Sequence, residues 1–161
     1  MVGIPYDDVD TWRGPYPPEV LAEQFDQVAK GWGLGLEQLR RAVSQAPPAQ
    51  REATTAELRF AQTAALLFES AANQVRFVLH RDAESLEGAH AEAHRAAIVR
   101  IARREMEMAK ELFGLAREDS RIGFEAANHY FFLPIDLMEK VVNCEYVINR
   151  CQESRHQGHA R

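Results

Sequence analysis

At 161 residues, 46% hydrophobic and 27% charged, the chain suits one globular domain able to bury about two-thirds of its unfolded surface. A net charge of −5 leaves no basic field to gather phosphates, so nucleic acid is not an expected partner. No apolar run approaches transmembrane length, so no membrane partner is expected either.

The first residues, MVGIPYDDVDTW, have neither a basic nor an apolar signal-peptide region, and a cytoplasmic location is the default expectation. Residues 1–17 carry Pro5, Pro15 and Pro17 beside Tyr6, Trp12 and Tyr16. Proline blocks helix here, and the aromatics suggest an extended arm lying across the rest, with Trp12 as its anchor.

A first helix is expected from Pro18, with Glu19 near the positive end of its dipole. Leu21, Phe25, Val28, Trp32, Leu39 and Val43 follow helical spacing until Pro47-Pro48 ends it. Gly31, Gly33 and Gly35 interrupt that pattern and suggest a kink or a close backbone approach. A second helix is expected over about 54–81, where Thr54 and Glu57 match a capping box, with an earlier start left open. Its seam is Leu58, Ala61, Ala65, Phe68, Ala72, Val75 and Leu79. Beside the seam runs a polar ladder, Glu69, Asn73, Arg76 and His80, spaced four, three and four along one face. The ladder reads either as an interhelical hydrogen-bond network or as part of a ligand site.

Residues 82–88 form a short connection, and a third helix runs to about Arg117. Ile98, Ile101, Met108, Leu112 and Leu115 form its seam, with Ala91 and His94 on the same line before them. Glu105 falls in the middle of that seam, where an unpaired carboxylate would be costly. The outer face carries Arg100, Arg103, Arg104, Glu107 and Glu111, ordinary solvated charge with an Arg103–Glu107 pairing available. A last helix starts at Pro134 with the seam Leu137, Val141, Cys144, Ile148 and Cys151. Two cysteines seven apart on a helix are separated by about 10 Å of rise, so both are expected as free, buried thiols. The predicted fold is all-α: an antiparallel up-and-down four-helix bundle over 18–152, with an extended arm and a frayed tail at 153–161.

Between the third and last helices lies EDSRIGFEAANHYFFLP. In one reading its aromatics fold into the end of the bundle, and Arg121 reaches inward to Glu105 or Glu69 in a two-pronged pair. In the other, Arg121, Glu125, Asn128, His129 and Tyr130 line a polar pocket whose rings stack on a sugar. A metal site is not expected. His90 and His94 share a face and Glu87 precedes them, but only one Glu-x-x-His unit occurs, where carboxylate bundles use two. No nucleophile elbow or phosphate loop is present, and no cofactor is expected.

Three phrases carry a resemblance. They are Tyr16-Pro17-Pro18-Glu19-Val20-Leu21 leading to Lys30-Gly31-Trp32; Asn73-Gln74-Val75-Arg76-Phe77 leading to Arg81-Asp82; and Asp119-Ser120-Arg121-Ile122-Gly123-Phe124-Glu125-Ala126 leading to Asn128-His129-Tyr130. Together they resemble the C-terminal helical region of large bacterial proteins of glycoside-hydrolase type. That resemblance implies a non-catalytic accessory module serving an adjoining or partner glycosidase-like domain and touching carbohydrate. It carries over no catalytic residue. A metal-dependent bundle enzyme and a homo-oligomerising helical protein stand as alternatives.

Overall fold

The computed structural model describes residues 7–84, 91–125, 129–130 and 132–158. Those residues form an all-helical bundle: α1 (Val9–Trp12), α2 (Pro18–Gln45), α3 (Arg51–Glu84), α4 (Ala91–Glu118) and α5 (Pro134–Gly158). A single 3-10 turn, Pro48–Gln50, joins α2 to α3. Two-residue strands, β1 (Phe124–Glu125) and β2 (His129–Tyr130), pair antiparallel, Phe124 opposite Tyr130 and Glu125 opposite His129. None of the described helices is long and apolar enough to cross a membrane.

α3 is central, packing against α2 on one side and α4 on the other, while α5 packs on α4. This explains why one seam does not describe α3. Buried Thr63, Leu66, Ser70 and Asn73 recur at helical spacing, and Leu66, Ser70 and Asn73 meet residues of α4. The expected seam is half-buried apart from Ala72, and Phe68 meets the α2 ring Trp32 edge to face at 5.2 Å. Trp32 also donates its indole N–H to the Ala61 carbonyl, 2.7 Å away, so it ties α2 to α3. The main core gathers Leu66, Met108, Ala109, Leu112, Ala116 and Leu137 from α3, α4 and α5.

Several expectations need correction. The glycines do not break α2, and a Cβ at Gly31, Gly33 or Gly35 would meet no neighbour within 4 Å, so no close approach explains them. α3 begins at Arg51, before the expected capping box; Thr54 and Thr55 instead donate to carbonyls of the preceding turn. Its C-terminal end extends through residues 82–84. The arm is not wholly extended, because Asp8 caps the one-turn α1 by accepting from the Thr11 backbone N–H at 3.1 Å. Trp12 is 56% exposed, and Asp7 ties the arm to Arg81 on α3 at 2.9 Å. α5 continues six residues beyond the expected end at 152, to Gly158. Both cysteines are free, as expected, but half-buried rather than buried.

The segment after α4 turns on its backbone. Asp119 accepts from the Arg121 N–H at 3.1 Å, Ile122 enters the core, and Gly123 has φ +87°. A Cβ at Gly123 would sit 2.6 Å from the Phe132 carbonyl oxygen, so the two chain passes need glycine there. Phe132 packs against the core with Ile122. α5 then starts at Pro134, and Asp136 reaches back to accept from the Leu133 N–H at 2.8 Å.

Candidate functional site

A groove of about 690 Å³ runs between α2 and α5, floored by α3 and α4 and overhung by the arm. Its walls are largely apolar: Leu21 and Phe25 from α2, Phe77 and Val78 from α3, Ile101 from α4 and Val147 from α5. It exists because α3 and α4 separate the two outer helices, which do not close over the gap.

The floor is polar. Glu105 is 5% exposed, and both of its oxygens are engaged. Lys140 Nζ lies 2.5 Å from Oε2, the Ser70 hydroxyl donates to Oε2 at 2.7 Å, and the Asn73 amide donates to Oε1 at 2.8 Å. The Ser70 oxygen in turn accepts from Lys140 at 3.1 Å and from the Gln74 amide at 3.0 Å. A hydroxyl has one proton and two acceptor positions, and all three are used. Three helices therefore meet on one carboxylate. The expectation that Glu105 needs a partner holds, but the cation is Lys140 of α5. Lys140 keeps 28% of its side chain accessible, and two of its three N–H donors are spent on Glu105 and Ser70. Cys144 stands one turn further along α5 on the groove wall, where burial pushes its thiol pKa up, Lys140 opposing and Glu105 adding to the shift.

The polar ladder of α3 does not act as one unit. Asn73 alone joins the floor. Glu69 takes a two-pronged pair from Arg104 of α4, at 2.6 Å for each bond, on the surface. Arg76 turns the other way and pairs with Asp26 of α2. His80 meets His94 of α4, with the two Nδ1 atoms 3.0 Å apart; which ring donates depends on tautomer. Desolvation lowers the His80 pKa first, and His94, Arg100 and Arg76 lower it further.

Arg121 does not reach Glu105 or Glu69. Its guanidinium pairs with Asp119, two residues away, at 2.6 and 2.9 Å, and lies over the Phe60 ring at 5.0 Å. The guanidinium is solvent-exposed while the Asp119 carboxylate is largely covered, and the side-chain hydrogen bond from Arg121 is the main cause that brings the Asp119 pKa down to about 2. The reason is reach: the turn after α4 holds Arg121 beside its own local acid, outside the bundle. On the outer face of α4, Glu107 pairs with Lys110 at 2.8 Å, not with Arg103. The side chains of Glu125, His129 and Tyr130, and all of Asn128, lie outside the described residues, as do His90 and Glu87. Among the described residues, no three or more potential metal-ligating side chains gather.

Two features escaped the sequence reading. Lys140 is one, although its spacing from Leu137 and Cys144 puts it on the inner face of α5. The outer face of α5 carries an exposed apolar stripe, Ile135, Met138, Val142 and Tyr146, at spacings of three and four. Set against known protein families, curated proteins and solved structures, the chain matches none.

Proposed function

We propose that the chain is a non-catalytic binding module, an antiparallel up-and-down four-helix bundle whose groove takes a small, partly apolar molecule bearing hydroxyl groups. A glycoside fits that description, and the module would then serve an adjoining or partner glycosidase-like domain. The observation that carries this reading is an apolar groove with a satisfied, buried carboxylate–ammonium cluster at its base. Concave apolar walls with a few converging polar groups are the usual form of a small-molecule site. Lys140 has one N–H beyond its two internal bonds, and the Asn143 amide lies beside it on the groove wall, so both can meet hydroxyl groups. Trp12, Phe25 and Phe77 supply ring faces for the C–H side of a sugar. Three internal donors occupy Glu105, which favours a fixed acceptor over a free general base.

Calorimetric titration tests the reading, with octyl glucoside below its micelle-forming concentration as the probe and glucose, octanoate and octylamine as comparisons. Octyl glucoside is expected to bind best, and Ala71→Leu, which fills the groove without touching its polar floor, is expected to abolish that binding. Equal weak responses to all four compounds, unchanged in the variant, would refute a built site.

The exposed stripe on α5 favours a second reading, association with another copy or with an adjoining domain. Sedimentation of the chain and of Val142→Glu addresses it: a dimer that dissociates in the variant supports self-association, and a monomer in both rejects it.

A further inference from the structure

The His80–His94 contact joins the last turns of α3 to the first turn of α4. Two Nδ1 atoms 3.0 Å apart leave room for one proton between them. The contact needs at least one neutral imidazole. When both rings are protonated each Nδ1 carries a hydrogen, and a hydrogen bond becomes a collision of like charges.

The neighbours reinforce this. Arg76 precedes His80 by one turn on α3, and Asp26 of α2 neutralises part of its charge. Arg100 faces the pair from α4. Arg81 follows on α3 and is held by Asp7 of the arm and by Asp82. Burial, His94, Arg100 and Arg76 all oppose protonation of His80. The same cations weigh against a metal ion between the two imidazoles.

The position matters for the groove. Phe77, Val78 and Arg81, all within a turn of His80, line it. Arg81 also holds the arm that overhangs it. We propose that the His80–His94 pair is a proton-sensitive latch on the groove, closed at neutral pH and released when both rings are protonated. This rests on the groove being the binding site. Acidification separates the ends of α3 and α4, loosens the Arg81–Asp7 tie and weakens whatever the groove holds. The sign follows from linkage. A base whose protonation burial disfavours leaves stability intact above its ordinary value of about 6.5 and lowers it as pH falls below that value.

Amide hydrogen exchange on the ligand-free full chain, corrected for intrinsic rates, tests the latch between about pH 7.5 and about pH 5. Protection at residues 77–81 and 94–98 is expected to fall at the lower pH while residues 108–116 keep theirs. His94→Gln and His80→Gln, which cannot take up the charge, are each expected to remove that local pH response. An unchanged response in both variants, or none in the parent chain, overturns the latch. Octyl glucoside titration at the same two pH values separates the two readings. Binding weakened about fivefold or more at the lower pH, and less than about twofold in His94→Gln, supports the coupling. No binding at the higher pH refutes the groove but not the exchange result, whereas binding insensitive to pH refutes the coupling alone.

Discussion

Two ion pairs, Glu105–Lys140 and Asp119–Arg121, show how little a charged pair reveals without its surroundings. The first joins residues 35 apart on two helices, and its carboxylate is almost sealed from water. The second joins residues two apart in a turn, with the guanidinium 66% exposed. Their geometries are alike, with N–O distances of 2.5 and 2.6 Å. Their energetic roles differ, because a buried carboxylate stripped of its only cation cannot recover hydration, while an exposed guanidinium exchanges its partner for water at little cost and Asp119 keeps the Arg121 backbone N–H. The buried cluster therefore organises three helices, and the Asp119–Arg121 pair braces one turn from its outer side.

The strongest way to break the comparison is at the floor of the groove. Lys140→Met strands the Glu105 carboxylate and is expected to cost about 3 kcal/mol in urea unfolding, the low end for a buried pair because the ammonium reaches the groove. Replacing both residues, Glu105→Leu with Lys140→Met, is expected to restore most of that loss, since the partnerless charge is gone. A single variant as stable as the parent would mean that the cluster is wetter than its geometry indicates.

In the turn, the backbone should matter more than the charge. Gly123→Ala forces a side chain into a left-handed conformation and against the Phe132 carbonyl, so a loss of about 2 kcal/mol is expected. A melting temperature unchanged by that substitution would show that the turn can relax.

The surface fork on α4 falls between the two ion pairs. Arg104→Lys loses one of two parallel bonds to Glu69 on a partly exposed face, and is expected to cost under about 1 kcal/mol. Arg121→Lys is expected to leave the melting temperature unmoved, reversing the order that the inward pairing of Arg121 would give. The Asp119–Arg121 pair still has a clear signature. The Asp119 carboxyl is expected to titrate near 2 by NMR and to return toward the ordinary carboxylate range in Arg121→Gln. No movement on that substitution would show that Arg121 does not hold it.

By itself the sequence determined the four long helices. Apolar spacing of three and four, Pro18 and Pro134 at helix starts and Pro47-Pro48 after α2 are local signals, and the structure places helices where they fall. It also showed that Glu105 sits on a core seam and must be satisfied, because burial of that face follows from periodicity alone. What it left open was partnership. Which cation meets Glu105, which way Arg76 turns from the ladder, and whether Arg121 reaches inward all depend on how the helices are placed and rotated relative to one another. Spacing along one helix carries no record of that rotation. The groove belongs to the same class: it appears only because α2 and α5 pack on different central helices and leave a gap. Only the tertiary structure could bring His80 to His94, 14 positions apart, or make Lys140 the partner of a buried acid.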